Sequence, residues 1–352
     1  MLNSPFSPWP SFTEEEANAV RDVILSNKVN YWTGQQCREF EKEFASWSGC
    51  AYAVALTNGT VALDLAFQAL GIGAGDEVVV TSRTFLASVS SIVNTGATPV
   101  FADVAPDSQN ITAETIAAVL TPRTRAIVCV HLAGWPCDMD PIMALAEKHG
   151  LKVIEDCAQA HGAKYKGRPV GSIGHVGAWS FCQDKIMTTG GEGGMVTTND
   201  RDLWSSMWSY KDHGKSWEAV YERQHAPGFR WLHESFGTNW RMMEVQGVIG
   251  RIQLKRMAQW HDARLANARR IWDVAEQLAG LGEAQLELQK GLAAQRATAE
   301  QQSRTASELA ALRKELKRER RRLEGAALLL VAGDSAARTA AKSARDHGRH
   351  AG

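Results

Sequence analysis

The sequence predicts an α/β protein built on a mostly parallel sheet, and three observations predict it. From about residue 50 to 200, short β-rich runs alternate with helical patterns. The runs hold about four to six apolar residues without polar alternation, as strands buried on both faces do. The helical stretches between them supply the crossovers that parallel strands require. The alternation opens with AYAVAL, TVALDLAFQAL, DEVVVTS, SVSSIVNTG and TPVFADV. It continues through TRAIVCVHL, MALAEKHG and LKVIED to VGAWSF and GMVTT.

The composition changes near residue 271: after Trp272 there is no Trp, Phe, Tyr, Ile, Pro or Cys. Residues 281–325 are rich in Ala, Glu, Gln, Leu, Lys and Arg and read as one helix. Leu309, Leu312, Leu316 and Leu323 keep the 3-4 spacing of a coiled-coil seam, broken where Glu319 stands. The expected division is therefore a large domain with an N-terminal arm over 1–245, a long connecting helix over 246–278, a helical, weakly coiled-coil segment over 279–325 and a disordered tail over 326–352. The tail carries too few apolar side chains to bury.

Lys+Arg and Asp+Glu balance at 39 each, which gives no argument for a nucleic-acid or acidic-membrane partner. The basic run RKELKRERRRLE has interspersed acids and no aromatics, as a solvated helix face does. A small-molecule partner is expected. Cys37, Cys50, Cys129, Cys137, Cys157 and Cys182 are scattered, with no C-x-x-C pair and no histidines at zinc spacing, so free thiols and no metal are expected. The first residues carry no basic segment followed by an apolar run, and no stretch reaches the ~20 apolar residues of a membrane span. The expectation is a soluble, cytoplasmic protein with no membrane partner.

Several positions can carry chemistry. Lys185 ends a buried-strand pattern and precedes Thr188, Thr189 and four glycines. An amine desolvated there loses proton affinity and becomes a nucleophile for an aldehyde, although a surface loop lysine has the same local pattern. Asp156 closes the strand in VIEDCAQAHG, and ligands of open parallel sheets sit at the carboxyl ends of strands. A carboxylate there can pair with a protonated ring nitrogen, or simply cap the next helix. Gln159 and His161 follow at a spacing suited to the same ligand. Asn58, Gly59 and Thr60 precede a helix whose N-terminus can bind a phosphate, and plain capping explains them equally well. Phe85 follows another strand end, where an aromatic can stack on a planar ring or fill the core. Asn239 and Arg241 precede a long amphipathic helix, where capping and surface charge suffice. A lysine for an aldehyde, an acid for a ring nitrogen, an aromatic for a ring face, and a helix end with Ser180 for a phosphate together are the fittings of pyridoxal 5'-phosphate (PLP).

The chain resembles the sugar aminotransferases of the DegT/DnrJ/EryC1/StrS family, a branch of the fold-type-I, aspartate-aminotransferase-like PLP enzymes. The resemblance rests on NGTVALDLAFQALGIGAGDEVVVTSRTFLASVSSIVNTGATPVFADV, EDCAQAHGAKYKGRPVGSIGHVGAWSF, SFCQDKIMTTGGEGGMVTTND and GTNWRMMEVQGVIGRIQL, in family order over roughly residues 10–275. It implies a PLP-binding large domain and transfer of an amino group, usually from glutamate, to a nucleotide-linked keto-deoxy sugar for polysaccharide or metabolite glycosylation. By resemblance, Lys185 is the Schiff-base lysine and proton shuttle, Asp156 binds the pyridine nitrogen, Phe85 stacks on the ring and Gln159 lies near its hydroxyl. Gly59, Thr60, the Val61 backbone and Ser180 hold the phosphate. Asn239 reaches the phosphate of a neighbouring subunit, which implies a homodimer. Family members with histidine in place of the lysine dehydrate their sugar, so Lys185 favours transamination.

The sequence departs from the family at Cys182 and Gln183, where His-Pro is common, and in a glycine cluster one residue longer. The family's small C-terminal α/β domain has no counterpart in pattern here, where the Ala/Glu/Arg-rich helix stands. The alternative implied by that departure is a PLP-binding protein that is catalytically impaired or non-enzymatic. These motifs leave open the sugar and whether C3 or C4 is aminated. Residues 210–235, rich in His, Trp and Arg, are expected to form a poorly ordered loop near the sugar site.

Overall fold

The computed structural model describes residues 9–228, 230–295 and 312–323. The chain divides into two compact units, Phe12–Ala258 and Met1–Ser11 with Gln259–Gly352. The first unit opens with helices α1 (Glu14–Leu25) and α2 (Gln36–Ser48), followed by β1 (Tyr52–Leu56), α3 (Gly59–Ala69), β2 (Glu77–Thr81), α4 (Ala87–Asn94) and β3 (Thr98–Ala102). It continues through α5 (Ala113–Ala117), β4 (Thr124–Val130), α6 (Met139–His149), β5 (Lys152–Asp156) and a small hairpin of β6 (Lys164–Tyr165) and β7 (Arg168–Pro169). Strands β8 (Val176–Ser180) and β9 (Gly194–Thr198) and helix α7 (Arg201–Tyr210) lead to α8 (Glu244–Gln295).

Seven strands form one sheet in the order β1-β9-β8-β5-β4-β2-β3. β8, β5, β4, β2 and β3 are parallel, and β9 runs antiparallel to both its neighbours. The mixed α/β fold with a mostly parallel sheet is thus the one the apolar runs predicted. Every residue of β2, β8 and β9 is buried, which is why those runs show no alternation. The carboxyl ends of β1, β2, β4, β5 and β8 all lie along one edge of the sheet, and their loops meet there.

The core beneath that edge is aromatic. Phe40 and Phe44 of α2 are fully buried. The Phe40 ring lies 5.4 Å from Phe181, and Phe44 lies 5.2 Å from Trp179 in β8. Each ring buried this way stabilises the fold by about 1.5–3 kcal/mol. α2 is also fastened by a buried charge network. Lys211 Nζ, fully buried, lies 3.1 Å from Glu41 Oε1 and 3.8 Å from the centre of the Tyr31 ring. Glu41 also accepts the Tyr31 hydroxyl at 2.9 Å and the Ala55 N–H at 2.8 Å, joining α2, β1 and the end of α7. Burial pushes the Lys211 amine below its usual range, with Glu41 pulling it back.

Residues 210–235 are not an open loop. α7 ends at Tyr210, a π-helical turn spans Glu218–Glu222, the bridge Lys215↔His233 closes the segment on itself, and Asp212↔Asn239 ties it to the stretch before α8. Trp217 packs on Trp204, Trp208 and Tyr221 at 5.0, 5.1 and 4.4 Å. Arg241, which the sequence offered as surface charge, instead pairs with the fully buried Asp212.

In the second unit, Trp9 meets Trp260 edge to face at 5.7 Å, and Arg264 lies 5.0 Å from the Trp9 ring. Helix α8 covers the expected connecting helix and continues beyond 278 without a break. From 259 to 286 none of its residues is buried. Residues 312–323 are helical, with Leu312 exposed and Leu316 and Leu323 half-buried. Leu309 and the expected tail, 326–352, lie outside the described residues. None of the described helices is long and apolar enough to cross a membrane. The six cysteines are free, and five of them are buried.

Candidate active site

The loops at the carboxyl edge enclose a cavity of about 590 Å³. Its walls include Gly59, Thr60, Val61, Phe85, Asp156, Gln159, Ser180 and Lys185, residues widely separated in sequence. These are eight of the nine positions to which the family resemblance gives a role in holding PLP. The ninth, Asn239, is exposed and does not line this cavity. His161 does not line it either: its ring is buried against Trp179 and Phe181, at 5.4 and 5.8 Å. Its spacing from Asp156 misled because the chain turns after β5 and folds the imidazole into the aromatic core. No residue of 210–235 lines the cavity.

One wall is the N-terminus of α3. Asn58 caps it, its Oδ1 accepting the Val61 N–H at 2.9 Å. Val61 N–H, an expected phosphate donor, is therefore engaged with the cap. The N–H groups of Gly59 and Thr60 are the first two of the helix, where no intrahelical acceptor exists. Gly59 is required by space: a Cβ there stands 2.6 Å from Ser180 Cβ. Gly194 is required likewise, since its Cβ stands 2.2 Å from the Asn58 carbonyl oxygen. These two close approaches bring Ser180, at the end of β8, against the helix end. Ser180 Oγ accepts the Cys182 N–H at 3.3 Å, which leaves its proton for an anion. The cradle of helix N–H groups, Thr60 and Ser180 suits a phosphate.

The floor is Asp156, 6% exposed. Its Oδ2 accepts the Ser88 hydroxyl at 2.7 Å and its Oδ1 the Ala158 N–H at 3.1 Å. Burial pushes this carboxyl above the usual carboxylate range, while the hydrogen bonds from Ser88 and Ala158 and the nearby Lys185 ammonium pull it down. A cation brought into the cavity beside it relieves the burial cost. Phe85 is 72% exposed at the cavity wall, so the core alternative for this ring is excluded. Gln159 Oε1 accepts the Ala133 N–H at 2.9 Å, tying the loop after β5 to the one after β4. Lys185 Nζ lies 3.2 Å from Asp184 Oδ2, with its side chain 19% exposed.

The residues fit PLP in chemistry as well as in place: an anion cradle, a buried carboxylate short of positive charge, an exposed aromatic face and a primary amine share one cavity. Among the wall residues that escaped sequence reading are Thr84, Ser88, Asp184 and Glu192. Ser88 carried a signal in the hydroxyl-rich TSRTFLAS, where it reads as ordinary helix-start chemistry.

A second cluster lies behind the cavity floor. Glu155 and His131 are fully buried, with His131 Nε2 2.9 Å from Glu155 Oε2. His131 Nδ1 accepts the Cys137 N–H at 3.1 Å, so the ring proton sits on Nε2 and is donated to Glu155. Glu155 also accepts N–H groups from Gly171, Ile173 and Gly174 at 2.8, 2.8 and 2.6 Å. With Cys157 these two residues have metal-ligand types within reach of one another. Their hydrogen bonds already occupy the carboxylate and the imidazole.

Comparison with known proteins agrees with this geometry. The profile of the DegT/DnrJ/EryC1/StrS aminotransferase family matches residues 10–324. GDP-perosamine synthase of Caulobacter vibrioides is 44% identical over 266 residues, 74% of this chain and 68% of that protein. The UDP-N-acetyl-3-dehydro-alpha-D-glucosamine 3-aminotransferase of Acidithiobacillus ferrooxidans is 43% identical over 268 residues, 74% of this chain and 69% of that protein. The solved aminotransferase of Psychrobacter cryohalolentis is 72% identical and superposes with a TM-score of 0.78, covering 79% of this chain and 70% of that one. The chain belongs to the DegT/DnrJ/EryC1/StrS aminotransferase family of PLP-dependent, fold-type-I enzymes.

Proposed function

We propose that this aminotransferase works on a nucleotide-linked keto-deoxy sugar, takes its amino group from glutamate, and holds PLP in the 590 Å³ cavity. The observation that carries the reading is the convergence of Lys185, Asp156, Phe85 and the α3 N-terminus with Ser180 on that single cavity. The two curated relatives named above are both enzymes of nucleotide-linked amino sugars, which supports the substrate class.

Bound there, PLP supplies an aldehyde for amines and a ring that draws electrons from an adjacent carbon. Lys185 Nζ would hold the cofactor through its aldehyde carbon and would carry protons between cofactor and substrate carbons. Asp156 keeps the ring nitrogen protonated through a buried ion pair. Phe85 covers a ring face, and Gln159 lies toward the ring hydroxyl. Thr60, Ser180 and the Gly59 and Thr60 N–H groups hold the phosphate. Asn239, exposed and outside its own chain's cavity, serves the phosphate of a second subunit in a homodimer. The setting is the cytoplasm.

The test is a coupled assay with PLP, glutamate and nucleotide-linked 3-keto or 4-keto deoxy sugars, following 2-oxoglutarate and the aminated sugar by mass spectrometry. The reading expects both products in equal amounts. PLP binding with no 2-oxoglutarate from glutamate selects the impaired cofactor binder instead, and absence of PLP binding removes the reading.

A further inference from the structure

The bend before α4 and the first turn of that helix carry two hydroxyls, Thr84 and Ser88, in line with Asp156. Thr84 Oγ1 and Ser88 Oγ lie 2.7 Å apart, and Ser88 Oγ lies 2.7 Å from Asp156 Oδ2. Ser88 is fully buried. A hydroxyl has one proton to give, and an ionised carboxylate only accepts. Ser88 therefore donates to Asp156, and Thr84 must donate to Ser88. The chain Thr84→Ser88→Asp156 has one direction while Asp156 is ionised. A serine in the first turn of a helix ordinarily turns its hydroxyl on nearby backbone. This one spends it on a carboxylate 68 residues away.

The same turn presents the aromatic wall. Ser88 N–H donates to the Phe85 carbonyl at 3.2 Å, and Ser90 N–H to that of Leu86 at 2.8 Å. Phe85 and Ser88 thus move as one piece, one at the cavity wall and the other locked to its floor. The remaining charged or titratable groups that act on Asp156 are Lys185 after β8, His131 after β4 and Cys157 next to it in the chain. From α4 it meets the Ser88 hydroxyl, with Thr84 behind it.

We propose that Thr84 and Ser88 are a positioning pair that keeps Asp156 ionised and aimed at the cofactor's ring nitrogen, in register with Phe85. The proposal rests on the assignment of Asp156 to that nitrogen. Neither hydroxyl is assigned contact with the reacting atoms. Their work is done through the carboxylate.

The experiment is a titration of the cofactor-free protein with PLP from neutral to acidic pH, for wild type, Ser88→Ala, Thr84→Val and Asp156→Asn, with a melting curve for each. Ser88→Ala removes a hydrogen bond to a charged group and weakens PLP by about tenfold. It also raises the Asp156 pKa further, so the acid limb of binding moves to higher pH. Thr84→Val, at a half-buried position, weakens binding about two- to threefold with the same direction of pH shift. Asp156→Asn loses the acid limb altogether. If Asp156→Asn behaves as described while Ser88→Ala and Thr84→Val keep wild-type affinity and acid limb, the positioning pair is overturned. If Asp156→Asn is itself indistinguishable from wild type, the assignment of Asp156 fails and carries the pair with it. Should Ser88→Ala fail to melt cooperatively, Thr84→Val decides alone.

Discussion

Glu155 and Asp156 end the same strand, are both buried, and point to opposite faces of the sheet. Their surroundings differ in one respect. Glu155 faces a finished pocket: His131 and the N–H groups of Gly171, Ile173 and Gly174 fill its lone pairs. Burial raises its pKa, but those donors outweigh burial and the carboxyl ends below its usual range. Asp156 faces the cavity with two neutral donors, and there burial wins. Equal burial therefore yields a structural carboxylate on one face and a ligand-ready one on the other. What separates them is how completely the protein itself has satisfied the charge.

The lysines repeat the contrast. Lys211 is more deeply buried than Lys185, yet it is held by Glu41, Tyr31 and Trp208 and does not line this cavity. Lys185 lines the cavity. The largest expected effect breaks the chemistry without the fold: Lys185→Ala lowers amino transfer by about 10³-fold or more, read by 2-oxoglutarate release, while the melting temperature stays near wild type.

Next in size is a crossed pair on β5. Glu155→Ala leaves the loop donors and His131 without an acceptor and costs about 3–5 kcal/mol in denaturant unfolding. Asp156→Asn removes a buried charge that the cofactor-free protein satisfies poorly. It leaves the stability of that form equal or higher at neutral pH, while PLP affinity drops by about a hundredfold. If both substitutions destabilise alike, the distinction between the two faces is lost.

The pH dependence sharpens the same comparison. The folded pKa of Glu155 is lowered, so its contribution is present above the ordinary carboxylate range and is lost as pH falls through the lowered value. The folded pKa of Asp156 is raised, so its ionised form costs stability above that value, and the cost fades as pH falls through it and is gone below the unfolded value. Acid unfolding of Glu155→Gln therefore begins at higher pH than that of wild type, and acid unfolding of Asp156→Asn at equal or lower pH.

The smallest effects contrast exposed positions. Phe85→Ala weakens PLP by about three- to tenfold through lost stacking and changes stability by less than about 0.5 kcal/mol. Leu281→Ala, on the exposed stretch of α8, changes neither beyond about 0.5 kcal/mol in stability.

The fold was legible because doubly covered strands leave uninterrupted apolar runs, as in EVVVT and VGAWS. Part of the cavity wall was legible because strand ends and helix starts are local features that place a residue near the sheet edge wherever the chain goes next. Partners set by long-range packing were not. His131 and Glu155 are 24 residues apart and Lys211 and Glu41 are 170 apart, with no local pattern to announce either pair. His161 failed for a related reason. Nearness in sequence to a site residue says nothing about which side of the sheet a turn delivers. From 259 to 286 the helix carries helix-forming composition with no buried position, so its pattern announced the element and nothing of its role.

The central claim is that Lys185 is the amine that holds PLP in this cavity. Its most direct test is borohydride reduction of the PLP-loaded protein, followed by proteolysis and mass spectrometry of the lysine-containing peptides. The account predicts one phosphopyridoxyl group per chain, on Lys185, and its absence in Lys185→Ala. Label on a different lysine, or label undiminished in Lys185→Ala, contradicts it.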